Sequence, residues 1–169
     1  MMSPFIVRSL PSEQLPAVYP LVREASPSLQ LAAWLRFGRQ LLNGKRAGQA
    51  GIVAAWRQGR SFPCGLFCYR VDQDLLQGKV LVAEHFVAID LLDPQAVLGA
   101  LVEELEALAL RLQCRAVRSV VHGGNVDVHS GLSAAGHEPE AALLFKPVVA
   151  HASGGHRRAG KPAEAAAHH

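Results

Sequence analysis

The sequence predicts an α+β domain built on a mixed sheet, with element order β-α-α-β-β-β-α-β-α-β. Three observations carry this. Three strand-like apolar runs follow one another between residues 50 and 92, separated by turn-forming residues. A stretch opening at Asp93-Pro94 has helical spacing instead. Strands and helices alternate only in the second half, which argues against a doubly wound parallel sheet and for a mixed one.

Phe5-Ile6-Val7-Arg8-Ser9-Leu10 reads as a short strand. Pro11-Ser12-Glu13 reads as a helix entry with Ser12 as its cap, and Leu15, Val18, Tyr19, Leu21 and Val22 supply the apolar stripe. Pro16 and Pro20 make this helix irregular. A second helix carries Leu29, Ala32, Ala33, Leu35, Arg36 and Gln40, and Asn43-Gly44 ends it. Ala50–Trp56, Phe62–Val71 and Val80–Leu92 are the three strands of an antiparallel meander, with Gly59-Arg60 and Asp72-Gln73-Asp74 as the turns. Asp93 is a natural N-cap and Pro94 suits the first helical position. Val97, Leu98, Leu101, Leu105, Leu108 and Leu112 then recur on one face, opposite Glu103, Glu104, Glu106 and Arg111. Ala116–Val121 is a strand, Val126–Ala135 a short helix stopped by Gly136, and Ala141–Val148 a final strand whose Pro147 marks a sheet edge.

The chain has 169 residues, half of them hydrophobic and 18% charged, which suits a folded domain. The expected organisation is one domain over 1–149 and a flexible tail over 150–169, ending in a sequence that resembles a tag remnant. Of the net charge of +3, the tail supplies +2, so the remainder is close to neutral and nucleic-acid binding is not expected. No apolar run reaches the roughly 18 residues of a membrane helix. The N-terminus lacks a basic-then-apolar leader pattern, so a cytoplasmic location is expected. Cys64, Cys68 and Cys114 lack metal-type spacing and read as reduced core residues, so no metal is expected.

Two features together resemble the GNAT superfamily of N-acyltransferases. Asn125 is followed eleven residues later by Gly136-His137 and an apolar run ending at Lys146. The long strand Val80–Leu92 runs into an amphipathic helix ending Leu112-Gln113-Cys114. The resemblance spans roughly residues 4–149 and implies acyl transfer from acetyl-CoA or another acyl-CoA to a small-molecule or protein amine. It also implies a cofactor site. The pantetheine arm would lie along Phe86, Val87 and Ala88, with Asn125 holding it by its amide. The pyrophosphate would lie at Gln95, Ala96, Val97, Leu98 and Gly99.

The pyrophosphate loop departs from the family pattern of Arg/Gln-x-x-Gly-x-Gly/Ala. The matching residues are Asp93-Pro94-Gln95-Ala96-Val97-Leu98. Asp93 competes for the helix N–H groups and repels phosphate, and Pro94 removes one donor. The family's general acid, a tyrosine, is replaced by Leu132, with His129 one turn earlier as the nearest titratable group. Glu84 and His85 on the long strand are the candidate bases; Glu84, a carboxylate interrupting an apolar strand, is preferred, with an ion pair to Arg70 or Arg118 as its structural role. Strict alternation puts Glu84 with Phe86 and Ala88 on one face and His85 with Val87 and Ile89 on the other. His122 and His137 are assigned no role.

Charge is unevenly placed. Residues 25–71 hold seven basic residues and no acid, and residues 72–106 hold eight acids against Lys79. Either these blocks neutralise each other across the sheet, or they point to an anionic acceptor. The alternative to an acyltransferase is a non-catalytic ligand-sensing or interaction protein of the same fold. Exposed sheet edges also suggest a homodimer.

Overall fold

The computed structural model describes residues 3–46, 48–122 and 125–148. The residues up to Glu138 form one compact unit. It contains β1 (Phe5–Ser9), α1 (Leu15–Ala25), α2 (Leu31–Asn43), β2 (Ala50–Arg57), β3 (Pro63–Asp74), β4 (Gly78–Ala88), α3 (Pro94–Arg111), β5 (Ala116–Ser119) and α4 (Val126–Ala134). The sheet runs β1-β2-β3-β4-β5. Its first four strands are antiparallel and β5 lies parallel to β4. These are the first nine expected elements, in order.

Successive side chains of a strand point to opposite faces, and here both faces are covered. On one face, Val97, Leu101, Leu105 and Leu108 of α3 pack on Val53, Phe67, Tyr69, Leu81 and Ala83. On the other, Leu15, Val18, Val22 and Trp34 pack on Ile52, Ala54, Leu66, Cys68 and Val87. Each large apolar side chain so buried contributes roughly 1.5–3 kcal/mol. Double coverage explains why β2 to β4 read as nearly continuous apolar runs. At Gly65 a Cβ would lie 2.6 Å from Val97 Cγ1, so the absent side chain is what lets α3 approach β3. The α1–α2 pair is tied by Trp34 Nε1 donating to the Leu15 carbonyl and Tyr19 OH donating to the Leu29 carbonyl, both at 2.8 Å.

Several expectations need correction. Ser12 does not cap α1; it opens a 3-10 turn over Ser12–Gln14, and α1 begins without a side-chain cap. Asp72 and Asp74 lie at the end of β3, and Asp74 Oδ1 accepts from Leu76 N–H and Gln77 N–H of the turn that follows. The low strand propensity of both aspartates is offset by arginine partners. Asp72 pairs with Arg46 and Arg70, and Asp74 with Arg118. β4 stops at Ala88 rather than Leu92, because Asp90 folds the following residues into a turn. β5 is two residues shorter than expected.

The final strand does not form. Residues 139–148 carry no secondary structure, and Leu143, Leu144, Phe145 and Val148 are exposed. Pro139 and Pro147 each withhold a backbone donor from this stretch. The tail expected over 150–169 lies outside the described residues. Among the described residues no helix is long and apolar enough to cross a membrane, and no group of three or more His, Cys, Asp or Glu is placed to hold a metal ion.

The two charge blocks face one another. Arg46–Asp72, Arg57–Asp90, Arg70–Asp72 and Arg70–Glu84 join them at 2.5 to 3.0 Å. Three of the seven basic residues of the first block are thus paired with three of the eight acids of the second.

Candidate functional site

β4 and β5 begin as a regular parallel pair, from Val80 opposite Ala116 to Ala83 opposite Ser119. One further bond, Val120 N–H to the Ala83 carbonyl at 2.8 Å, ends the pairing. Beyond it the strands part. The cause lies within β4. Cys68 pairs with Glu84 and Leu66 with Val87, so His85 and Phe86 together oppose the single residue Phe67. His85 has φ of 57°, a left-handed conformation that L residues avoid at a cost of roughly 1–2 kcal/mol. Such a bulge bends its strand and re-aims its side chains.

The bulge overturns the alternation expected for this strand. Phe86 joins Ala83 in the α3-side core, with its ring 5.6 Å from that of Phe67. Val87 packs on the α1–α2 side. Strict alternation places these residues on the opposite assignments relative to Ala83, because the extra residue shifts the period by one.

Where the strands part, a cleft of about 1230 Å³ opens. Its floor is His85–Ala88 of β4, Ile89 just after it, and Val120–His122 beyond β5. One wall is α2 with the α1–α2 connection, presenting Trp34, Phe37, Arg36 and Gln40. The far end is closed by Pro94, Gln95 and Leu98 of α3 with Asn125, Asp127 and Val128 of α4. Gly131 sets that closure: a Cβ there would lie 2.2 Å from Leu98 Cδ2. Gln95 Nε2 donates to the Asp127 carbonyl across the same junction at 3.4 Å.

Of the residues expected at a cofactor, Phe86, Val87, Ala88, Gln95, Leu98 and Asn125 line this cleft. Ala96, Val97 and Gly99 do not. Val97 is fully buried in the core against Gly65, because helical spacing turns it towards the sheet. Ala96 and Gly99 border a separate hollow of about 470 Å³ beside Ser3, Pro4, Phe5 and Glu103. Asn125 caps α4, its Oδ1 accepting from Val128 N–H at 3.4 Å. Asp93 caps α3, its Oδ1 accepting from Ala96 N–H at 2.9 Å.

The candidate base and acid lie outside the cleft lining. Glu84 points to Arg70, with Oε1 2.5 Å from Nη1, which is the structural role that the sequence allows for it. His129 is exposed on α4, and Leu132 is a core residue. The titratable groups on the cleft floor are instead His85 and His122. Their rings stack at 5.6 Å between centroids and 24° between planes, and the Phe37 ring meets His85 edge-on at 5.4 Å. Partial burial pushes the His85 pKa below the ordinary histidine value; neighbouring Glu84 opposes the shift, and His122 and Arg70 add to it. A neutral imidazole at neutral pH is the form that accepts a proton. The sequence signal was present, since Glu84-His85 is a polar pair inside an apolar run. Of that pair, His85 and not Glu84 lines the cleft.

No protein-family model and no curated protein matches the sequence. Solved structures do match. An aminoglycoside N-acetyltransferase in complex with CoA superposes with a TM-score of 0.70 at 17% identity, over 85% of this chain and 94% of that one. An aminoglycoside 6'-N-acetyltransferase from Acinetobacter baumannii gives 0.68 at 18% identity, over 86% and 99%. Glucosamine-6-phosphate N-acetyltransferase from Arabidopsis thaliana gives 0.66 at 14% identity, over 85% and 97%. At such identities the likeness speaks to the fold, and the fold of this chain is that of the GNAT superfamily.

Proposed function

We propose that the chain is an N-acyltransferase that takes an acyl group from an acyl thioester of the CoA class and passes it to an amine. The observation that carries this is the parting of β4 from β5 at the His85 bulge. It leaves the backbone of Phe86 to Ala88 facing a cleft on the side where β5 no longer pairs. A pantetheine arm carries amide groups, and an unpaired strand edge is the surface that recognises such groups. The structural likeness to N-acetyltransferases, one of them solved with CoA, supports the same reading.

In this account β4 orients the thioester, with its carbonyl beside the bulge. The amine attacks that carbon, the C–N bond forms and the C–S bond breaks. An amine must lose a proton to attack, and His85 is placed to receive it, directly or through water. His122, whose ring stacks on that of His85, is the other titratable group on the cleft floor and returns a proton to the departing thiolate. These two take the roles first assigned to Glu84 and His129. Glu84 acts on His85 through its charge. Phe37, Arg36 and Gln40 of α2 form the wall an acceptor would meet.

The test is thiol release from acetyl-CoA with a broad panel of amines. Turnover should fall by roughly 10²–10⁴-fold in His85→Ala, the range for loss of a general base. Absence of binding by any acyl-CoA at millimolar concentration would overturn the proposal.

A further inference from the structure

An acyl-CoA has two halves, and the structure treats them differently. The arm half meets the open strand edge described above. The phosphate half would meet the turn from β4 into α3, and there three of the five backbone N–H groups from Leu91 to Ala96 are already taken. Leu92 N–H and Asp93 N–H both donate to Asp90 Oδ1, at 2.8 and 3.1 Å. Ala96 N–H donates to Asp93 Oδ1 at 2.9 Å. Pro94 has no N–H. Of the six residues from Leu91 to Ala96, only Leu91 and Gln95 keep an N–H that no carboxylate takes.

A helix start that binds phosphate offers several free donors and a favourable field. Here two carboxylates sit in that place and reverse the field. The cation beside them is committed as well. Arg57 directs both Nε, at 3.1 Å, and Nη2, at 2.8 Å, to Asp90 Oδ2. That contact, with the two backbone donors, holds the Asp90 carboxyl below the usual carboxylate range, so it stays charged. The side chains between these two carboxylates, Leu91 and Leu92, are apolar and almost fully exposed. Nothing in this turn suits a diphosphate, and the phosphate half of CoA does not fit it.

Resting on the acyltransferase reading, we propose that donor recognition in this chain ends at the pantetheine arm. The substrate class is then pantetheine thioesters with or without a nucleotide, the phosphate end lying outside the grip of the α3 turn. The acyl transfer itself is unaltered: the C–S bond of the thioester breaks, the C–N bond forms, and the amine proton ends on the thiol.

Titration calorimetry with acetyl-CoA and S-acetylpantetheine tests this without knowledge of the acceptor. The expected dissociation constants agree within about tenfold, because the nucleotide adds few contacts. A preference of a hundredfold or more for acetyl-CoA would overturn the inference and leave the acyltransferase reading standing. Failure of both ligands to bind at millimolar concentration would overturn both. Asp93→Gly supplies the second arm, since glycine at an N-cap costs only a few tenths of a kcal/mol. It frees the Ala96 N–H and removes a charge. Acetyl-CoA should then bind about tenfold tighter, with S-acetylpantetheine unchanged. Equal affinity for acetyl-CoA in Asp93→Gly and the parent chain would contradict the role given to Asp93.

Discussion

The bulge at His85 is best tested by a sign rather than a size. His85→Ala and His85→Gly both delete the imidazole, so the lost contacts with Phe37 and His122 cancel in the comparison. What remains is backbone. In an ordinary strand, glycine is less stable than alanine by roughly 0.5–1 kcal/mol, through chain entropy. At φ of 57° an L residue also carries a penalty of roughly 1–2 kcal/mol that glycine escapes. The difference leaves His85→Gly more stable than His85→Ala by about 0.5–1 kcal/mol. For a chain of this size that is on the order of 2 °C in Tm. Urea unfolding of the two variants, compared at equal m-value, reads the difference directly. If His85→Ala matches or exceeds His85→Gly, residue 85 is an ordinary strand residue, and the mechanism that parts β4 from β5 is wrong.

Three further outcomes follow from the same structure. Gly65→Ala places a Cβ 2.6 Å from Val97 Cγ1 and 3.0 Å from the Val87 carbonyl oxygen, so it should cost roughly 1–3 kcal/mol in urea unfolding; a neutral result would mean that α3 does not rest on β3 there. Asp74 is held at a pKa of about 2 by Gln77 N–H, Arg118 and Leu76 N–H, below its unfolded value. Its contribution is complete above about pH 4 and is lost as pH falls towards 2, so Asp74→Asn should lower stability at pH 6 and flatten the loss between pH 4 and 2; parallel curves for the two proteins would refute this. The His85 imidazole should titrate below the ordinary histidine value by NMR, with its pKa rising when Phe37→Ala admits water; a value at or above the ordinary one would remove the ground for its role as base.

Much of the fold is legible in the sequence because its signals are local. Asp93-Pro94 marks the start of α3, and the spacing Val97, Leu101, Leu105, Leu108 marks the face it buries. The signals fail where partners decide. Asp72 and Asp74 belong to a strand because Arg46 and Arg118, distant in sequence, meet them, with Arg70 of the same strand beside Asp72. The apolar run at 141–148 has strand composition but forms no strand. The site is legible in part. Phe86 to Ala88 and Asn125, the residues that the resemblance would set along the cofactor arm, line one cleft. The bulge is invisible because no glycine or break marks it, and one unseen residue reverses every orientation after it. That is why the sequence alone does not decide which of Glu84 and His85 faces the cleft.

The central claim is that the cleft opened by the β4–β5 parting holds the arm of an acyl thioester. Titrating S-acetylpantetheine and acetyl-CoA separately into isotope-labelled protein tests it most directly, by following backbone amide resonances. The account predicts shifts from both ligands at Val87 and Ala88 on β4, at Ile89 just beyond it and at Val120 and Val121 across the cleft, with the core amides of β2 unmoved. Shifts confined to other surfaces, or none at millimolar ligand, would contradict it.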